Sequence, residues 1–475
     1  MTDDELCYLS ATKALTLFNQ KALSPVELTS AIISRAESIR DDVNPFADEY
    51  FEKGLSNARK AESRYAKANS RTRRLEGIPL AIKDSVNVRG TRSTGGSLIN
   101  AEHRAEVTDP SVERLLRAGA NFFTRTTCPE FCWLFATHSR LWGVTRNPWR
   151  LDITPGGSSG GSGAALAAGA TTIAIGTDST GSIRQPAAQC GVVGYQAPYG
   201  RNPLGAGASF RPYVHVGPMT RTVADAALMQ NVMSGYHALD HNSLRNKINI
   251  PEQATGVDGL RIAYSIDLGH FEIIDDVRRE TLEAISALRD AGAIVDEVEV
   301  DWAAQATRLA HLSEEFIFAG VLDAALAEHA DKVSDYVAQL AETAHGATAD
   351  DYRRALEVAG TVWYQHLGPL LERYDVFVCP GVSCPEVPAE NRQKDLIEVN
   401  GKQITDTDTA MTAIFNMFGR CPVLSVPSGL TDAGLPTGLQ IVGRPLDDKM
   451  VFRVGNTLER QRPWLDTPAR RPPLS

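Results

Sequence analysis

The sequence predicts an α/β protein in which a β-sheet packs against layers of helices. Between about residues 75 and 232, short apolar runs alternate with segments of helical periodicity. The same alternation returns beyond residue 256. Strands and helices that alternate along a chain are typical of layered structures with a sheet at the centre.

The N-terminal region is predicted to be helical. Residues 24–27, Ser-Pro-Val-Glu, have the pattern of a capping box with proline at the first helical position. Apolar residues then recur at helical spacing from Leu28 to Ile39, which predicts one buried face. The charged stretch 60–74 follows, and we expect it to form an exposed helix and loop.

The central region contains both kinds of element. A small-residue run at 164–168 predicts a helix that packs closely against a sheet. Two further helices are predicted to begin at Asp109-Pro110 and at Thr222, because both positions carry N-terminal capping signals. Short apolar runs predict strands at 78–82, 121–126 and 172–175.

The C-terminal half is predicted to continue the alternation. Residues 302–373 read as mostly helical, the polar segment 386–407 as a long surface loop, and 468–475 as a surface tail. Helices are predicted at 276–289 and about 447–459. Strands are predicted at 260–264, 294–300, 375–379, 422–426 and 439–442.

The length of 475 residues would allow two or three domains, but large α/β enzymes often form one. The chain has no internal repeat and no low-complexity linker. We therefore predict a single domain over 1–475, with the catalytic residues in a core at 75–235. The helical and loop region 302–407 is expected to shape the substrate pocket.

Composition excludes several classes of partner. The net charge is −10, and no basic block is long enough to act as a nucleic-acid arm. No apolar run reaches the roughly 18 residues that a membrane helix needs. The acidic N-terminus does not resemble a signal peptide. We therefore predict a cytoplasmic protein without nucleic-acid or membrane partners.

The seven cysteines are odd in number and scattered, which argues against a disulfide framework. Pairs such as Cys128 with Cys132 lack a matching Cys or His pair at finger-like spacing. Buried apolar thiols explain them more simply. We expect no metal and no cofactor.

The first chemical motif is the glycine-rich turn around Ser158, at residues 156–163. Glycines allow the backbone to approach itself and a substrate closely. A flexible linker, a phosphate-binding loop and a dinucleotide fingerprint are alternatives. A small-residue helix follows the run, no Gly-Lys-Ser/Thr ending is present, and no well-formed strand precedes it. These observations favour a site inside a folded layer.

The second motif surrounds Ser182, within residues 176–186. In a tight turn the backbone amides of 179–182 converge on one point and form an anion cradle. Asp178 and Arg184 flank the turn and are predicted to brace it through an ion pair. The alternative is a structural turn with a salt bridge.

Lys83 ends the apolar run 78–82. Such a lysine more often extends to solvent than takes part in catalysis. Together with Ser158 and Ser182, however, it completes a set of hydroxyl nucleophile, hydroxyl relay and amine base. Those groups suffice for acyl transfer without a histidine.

These segments resemble the amidase signature family. The similarity lies in residues 77–84, 145–148, 156–161, 176–186 and 217–222, in that order along the chain, and continues more weakly to 439–443. The combination of motifs is specific, although each alone is not. The resemblance implies one large domain with a twisted mixed central β-sheet covered by helices on both faces.

By this resemblance, Ser182 matches the acyl-accepting nucleophile and Lys83 the terminal base. Ser158 matches the middle serine, which in the family follows a non-proline cis peptide. The backbone amides of Ser179, Thr180, Gly181 and Ser182 match the oxyanion hole, with Asp178 and Arg184 in support. Thr180 departs from the glycine common in the family, and the run 195–198 lacks the usual lysine. An added side chain at Thr180 is expected to narrow the pocket or alter substrate choice.

The implied reaction is hydrolysis of a carboxylic amide. Ser182 attacks the carbonyl carbon, and its proton passes through Ser158 to Lys83, which must be neutral to accept it. Burial disfavours the charged form of an amine and would favour this state. The rate is therefore predicted to rise with pH as the amine loses its proton.

The sequence is also compatible with other functions. The same three residues would hydrolyse an ester or a carbamate, or would serve the glutamine-hydrolysing subunit of a tRNA-dependent amidotransferase. A catalytically dead binding protein is the alternative from another class. Aromatic and aliphatic residues at 131–137, with 302–373 and 386–407, are expected to form an apolar pocket. The resemblance also implies that a homodimer is possible.

Overall fold

The computed structural model describes residues 1–67, 71–254, 256–392, 394–465 and 467–474. Positions 393 and 475, within the predicted loop and tail, lie outside the described residues, as do 68–70 of the charged stretch. Eleven of the described strands form one sheet. The strands are β1 (Phe46–Glu49), β2 (Pro79–Lys83), β3 (Asn121–Thr126), β4 (His138–Ser139), β5 (Gly143–Val144), β6 (Ile173–Asp178), β7 (Val193–Gln196), β8 (His215–Thr220), β9 (Arg261–Tyr264), β10 (Ile294–Glu297), β11 (Val376–Pro380), β12 (Leu396–Val399), β13 (Lys402–Thr405), β14 (Val423–Leu430) and β15 (Pro436–Gly443).

The large sheet has the strand order β1-β3-β2-β6-β8-β7-β14-β15-β11-β9-β10. The strands β3, β2 and β6 run parallel to one another, as do β11, β9 and β10. The strands between these groups pair antiparallel. The predicted mixed sheet is therefore confirmed.

The described α-helices cover the sheet. They are α1 (Asp3–Cys7), α2 (Ala11–Gln20), α3 (Pro25–Ser38), α4 (Arg40–Val43), α5 (Phe51–Ala66), α6 (Pro110–Arg117), α7 (Gly160–Ala167), α8 (Arg184–Cys190), α9 (Val223–Met233), α10 (Asp275–Asp290), α11 (Ala303–His329), α12 (Asp335–Ala344), α13 (Ala349–Val362), α14 (Gly368–Arg373), α15 (Ile414–Met417) and α16 (Asp448–Gln461). Short 3-10 turns and one π-helical turn, Trp363–Leu367, connect some of them.

Helices pack on both faces of the sheet, as expected. On strand β15, Gly438 lies against Ala188 of α8, whereas Gly443 lies against Val451 of α16. These two glycines are an odd number of positions apart, so they face opposite sides of the strand. A large apolar core fills the space between the layers, with Phe377 and Ile441 among its fully buried members.

The predicted capping box is present in α3. Ser24 Oγ accepts from the amide of Val26, and the Ser24 amide donates to the carboxylate of Glu27. The helix predicted at 164–168 begins earlier, at Gly160, directly after the two serines of the glycine-rich turn. The turn is therefore partly the first turn of α7.

The prediction of a long loop at 386–407 is wrong in part, because β12 and β13 form a hairpin there. Asn400 and Gly401 connect the strands with φ values of 51° and 77°. An Asn-Gly pair is a strong signal for a two-residue hairpin turn, since both residues tolerate positive φ. The polar composition of the segment obscured this signal.

Candidate active site

Lys83 is the last residue of β2, in the interior of the sheet. The strand is buried along its whole length, and the lysine is 0% exposed. Its amine therefore does not extend to solvent, which was the structural alternative at this position. A buried amine must find polar partners, because an unpaired one is costly to desolvate.

Three hydroxyl groups surround the Lys83 amine. Nζ lies 2.7 Å from Ser158 Oγ, 3.0 Å from Ser159 Oγ and 2.9 Å from Thr177 Oγ1. Ser159 Oγ also donates to the carbonyl of Thr177 at 3.2 Å. The hydroxyl proton of Ser159 is thereby directed away from the amine. Ser158 is thus better suited than Ser159 to exchange a proton with Lys83.

The backbone on either side of Lys83 is fixed by a buried arginine. One guanidinium nitrogen of Arg125 donates to the carbonyls of Lys83, Asp84 and Val86, at 3.2, 2.8 and 2.6 Å. Arg125 and Asp84 also form a fully buried ion pair at 3.5 Å. Asp84 in turn accepts from the amides of Thr94 and Gly96. This network holds the end of β2, and with it the direction of the lysine side chain.

The turn that carries Ser158 is tightly enclosed. The peptide bond between Gly157 and Ser158 is cis, as the family resemblance implied. A Cβ added at Gly157 would lie 2.3 Å from the carbonyl oxygen of Leu134. Thr137 Oγ1 donates to the carbonyl of Gly156 at 2.7 Å. The glycines are therefore required for close packing, which argues against a flexible linker.

Ser182 lies in the turn between β6 and α8. The amide of Ser159 donates to its carbonyl at 3.1 Å, so the two serine turns are in direct contact. Ser158 is 1% and Ser182 5% exposed. Among the described residues, no hydrogen bond joins the Ser182 hydroxyl to that of Ser158. The structure thus joins Lys83 to Ser158 by a hydrogen bond, whereas the Ser182 hydroxyl has no hydrogen-bond partner among the described residues.

The predicted oxyanion cradle differs in one amide. Gly181 N donates to Asp178 Oδ1 at 2.7 Å and is therefore occupied. Within the described part of the chain, the amides of Ser179, Thr180 and Ser182 have no acceptor. Three of the four predicted donors are thus available to an oxyanion, and the fourth fixes the turn.

Asp178 and Arg184 form the ion pair expected from the sequence. Arg184 Nε and Nη2 lie 3.0 and 3.1 Å from the two carboxylate oxygens, and both side chains are fully buried. Asn416 Nδ2 donates to the same carboxylate at 2.8 Å. Although burial alone would raise the pKa of Asp178, Arg184 and these hydrogen bonds lower it to about 2. Arg184 also donates to Gln440 Oε1 at 2.7 Å, which ties the turn to β15.

Two cavities meet at the serine turns. The larger has a volume of about 280 Å³ and is lined by Ser158, Thr177 and Ser179, with aromatic side chains opposite. The smaller, of about 70 Å³, is lined by Ser179, Thr180 and Ser182. Three residues line both cavities: Cys132, Trp133 and Ser179.

The cavity walls come partly from the predicted segments. Residues 131–135 and side chains of α11 line the cavities, and Thr407 contributes from the end of the 386–407 segment. Thr180 lines the smaller cavity. The lining residues at 203–211 were not predicted, because nothing in that glycine-containing stretch marks it as a wall.

Ser159 and Thr177 were also not singled out as partners of the lysine. Both lie within the quoted motifs, adjacent to Ser158 and Asp178, and a count of hydroxyls near a buried amine would have suggested them. Among the described residues, no helix is long and apolar enough to cross a membrane. The described part of the chain also holds no cluster of three or more His, Cys, Asp or Glu side chains suited to a metal ion.

The sequence matches one family model and is similar to several known proteins. The family model named Amidase matches residues 27–452. An acylamidase of Rhodococcus erythropolis is 33% identical, over 98% of both chains. A glutamyl-tRNA(Gln) amidotransferase subunit of Geotalea daltonii is 31% identical, over 97% of this chain and 98% of that protein.

The fold is also similar to those of solved structures. A bacterial aryl acylamidase of the amidase signature enzymes aligns with a TM-score of 0.88 and 26% identity, over 96% of each chain. A 6-aminohexanoate cyclic dimer hydrolase in complex with substrate aligns with a TM-score of 0.83 and 25% identity, over 98% of this chain and 99% of that one.

Proposed function

Since this chain belongs to the amidase signature family and is a hydrolase of carbon–nitrogen bonds, we propose that Ser182 is its nucleophile and that Lys83 and Ser158 form its proton relay. The observation that carries this assignment is the 2.7 Å contact between Lys83 Nζ and Ser158 Oγ, both of which belong to buried side chains. The contact between the two serine turns adds support.

In the proposed reaction, Ser182 Oγ bonds to the carbonyl carbon of an amide. Its proton moves to Ser158 Oγ as the Ser158 proton moves to neutral Lys83 Nζ. The free amides of Ser179, Thr180 and Ser182 donate to the developing oxyanion, a contribution typically worth about 3–4 kcal/mol per donor. The relay then returns a proton to the leaving amine as the carbon–nitrogen bond breaks, and water hydrolyses the acyl-enzyme.

The two halves of the substrate are proposed to occupy different cavities. Ser158, which delivers the proton to the leaving amine, lines only the larger cavity. The leaving amine therefore belongs there, against Phe131, Trp133 and Phe318. The acyl group belongs in the smaller cavity, whose volume of about 70 Å³ is a quarter of the 280 Å³ of the larger one. We infer that the substrate joins a short acyl group to a bulky apolar amine.

A panel of short-chain anilides, aliphatic amides, carbamates and esters tests this function on the purified chain. Hydrolysis of the anilides, with Ser182 carrying the acyl group in a mass spectrum, would support it. Carbamates and esters form the same kind of tetrahedral anion, so turnover of those compounds alone would change the substrate class but not the site. Labelling of Ser182 by a fluorophosphonate would exclude a catalytically dead protein.

A second candidate is the glutamine-hydrolysing subunit of a tRNA-dependent amidotransferase. Its support is the 31% identity to such a subunit over nearly the full length of both chains. Release of ammonia from glutamine, only when partner chains are added, would favour this candidate. Efficient anilide hydrolysis by the chain alone would favour the first.

We also propose a domain organisation, an oligomeric state and a cellular location for this protein. A single domain with its catalytic core at 75–235 is testable by limited proteolysis. A homodimer is testable by the mass of the protein in solution. A cytoplasmic location accords with seven free cysteines but needs a localisation experiment.

A further inference from the structure

The smaller cavity contains a carboxylate oxygen that lacks a partner. Glu314, on α11, is 1% exposed and lines this cavity. Its Oε2 pairs with Arg211, whereas its Oε1 has no hydrogen-bond partner among the described residues. A buried acceptor without a partner is costly and calls for an explanation. A substrate atom that donates a hydrogen bond would supply one.

The position of Glu314 is fixed rather than adaptable. Arg211 holds Oε2, and the Arg211 guanidinium stacks over the ring of Phe318 at 4.3 Å. Phe318 in turn packs edge-on against Trp133 at 4.8 Å. Because Arg211 and Phe318 belong to the larger cavity and Glu314 to the smaller, the ion pair stands between the two. These contacts fix Glu314 in the wall of the smaller cavity, where its Oε1 has no partner among the described residues.

The charges around the smaller cavity also disfavour an anionic acyl group. Its wall contains the two carboxyl groups of Glu314 and Glu315, while Arg211 supplies one guanidinium. The other titratable residues of this wall are Cys132 and His311. Burial lowers the pKa of His311 to about 4, so His311 is neutral near pH 7. Burial raises the pKa of both Glu314 and Glu315 above the ordinary glutamate value. A carboxylate on the acyl group would meet carboxyl oxygens there, whereas a hydroxyl or an ammonium would meet an acceptor.

We propose that Glu314 Oε1 forms an acyl-group subsite that selects substrates carrying a hydrogen-bond donor, a hydroxyl or an ammonium, on the short acyl chain. The inference rests on the proposed function, because that function assigns the acyl group to this cavity. Glu314 is then a specificity residue that touches the substrate but takes no part in the proton relay.

The test uses p-nitroanilides of three acyl groups of nearly equal size: propionyl, hydroxyacetyl and aminoacetyl. Wild-type kcat/KM is expected to be at least tenfold higher for the two donor-bearing acyl groups than for propionyl, after correction for their alkaline hydrolysis rates. The two donor-bearing compounds distinguish a hydroxyl from an ammonium. Calorimetric titration of the same compounds into Ser182→Ala measures recognition without turnover.

The decisive variant is Glu314→Gln. The amide oxygen of a glutamine there would accept from Arg211, so its NH₂ group would face the cavity and oppose a substrate donor. The preference for donor-bearing acyl groups is expected to fall at least tenfold, in both kinetics and binding. Glu315→Gln is the matched control, because it removes the same charge from the same cavity wall, and it should retain the preference within about twofold.

A preference that is unchanged in Glu314→Gln, or lost equally in Glu315→Gln, would overturn the inference. So would equal binding of propionyl and donor-bearing anilides to Ser182→Ala. Failure of the proposed function looks different: none of the anilides would be hydrolysed, whatever their order of binding. Retained circular dichroism and thermal midpoint in each variant would separate altered recognition from misfolding.

Discussion

The amide nitrogen of Gly181 lies 2.7 Å from Oδ1 of Asp178, so the carboxylate binds the centre of the turn that carries Ser182, the proposed nucleophile. The same carboxylate accepts from the amide of Ile183 at 3.2 Å. Asp178 therefore orients the peptide units on both sides of Ser182. A turn fixed in this way need not reorganise when negative charge develops on the substrate oxygen.

Gly181→Ala is expected to lose most activity and to lower stability by about 2 kcal/mol or more, because an added Cβ would meet Thr412. A Cβ at this position would lie 1.7 Å from Thr412 Oγ1, and φ at Gly181 is +124°, which side chains rarely adopt. Kinetics and urea unfolding measure both effects. Gly320→Ala, at a helical glycine with nothing within 4 Å, is the control and should be at least as stable as the wild type.

Ser182→Ala is expected to reduce kcat by at least about a thousandfold, as loss of a nucleophile usually does. Ser179→Ala should cost far less, because the oxyanion contribution of that residue comes from its backbone amide. Steady-state kinetics compare the two variants. Full activity in Ser182→Ala would exclude this residue as the nucleophile.

Ser158→Ala and Ser159→Ala should differ sharply, although both side chains contact Lys83. Ser158→Ala interrupts the relay and is expected to cost about a thousandfold in kcat. Ser159 directs its proton to the Thr177 carbonyl, so its removal should cost about tenfold or less. Equal losses in the two variants would contradict the assignment of Ser158 as the relay.

Asp178→Asn is expected to destabilise the chain by about 3–5 kcal/mol at pH 7, since it leaves the buried Arg184 cation without its partner. The folded-state pKa of Asp178 is about 2, below the ordinary value of about 3.9. Its contribution to stability is therefore complete above about pH 4 and lost as the pH falls toward 2. Urea unfolding at several pH values should show this acid-dependent component in the wild type and not in the variant.

Asp406 should impose the opposite pH dependence. Burial raises its pKa to about 7, and its Oδ2 has no hydrogen-bond partner among the described residues. Between about pH 4 and 7 the unfolded chain loses this proton while the folded chain retains it, so folding stability falls as the pH rises through this window. Asp406→Asn should remove that fall and be more stable than the wild type at pH 8 by about 1–4 kcal/mol. Thermal midpoints across pH 4–8 test the difference, and parallel curves for the two proteins would contradict it.

The strands between residues 75 and 235 are largely predictable because local patterns specify them. The strand predicted at 121–126 has those bounds in the structure, and the one predicted at 78–82 shifts by one residue to Pro79–Lys83. Apolar runs bounded by turn signals suffice for such buried strands. The hairpin at 396–405 escapes prediction because each of its strands has only four residues and β13 shows no alternation of buried and exposed positions.

The candidate site can be predicted as a set of residues but not as a geometry. The motifs identify Lys83, Ser158 and Ser182. The sequence alone does not show that the Lys83 amine also forms hydrogen bonds with the hydroxyls of Ser159 and Thr177. The sequence also does not indicate that the Asp178 carboxylate occupies the amide of the following glycine. The Arg211–Glu314 pair joins residues far apart in the chain, and only packing of α11 against the core brings them together.

The strands β2 and β6 pair in parallel, and Ile82 lies opposite Ile175. This register places the Lys83 amine and its partner Thr177 at the same end of the two strands. Side chains along a strand alternate between faces, so deletion of one residue from the 79–82 run would reverse the face on which the lysine emerges. The contacts of the Lys83 amine therefore depend on the register of β2, and an insertion or deletion in β2 should be more damaging to the candidate site than a longer one in a cavity wall.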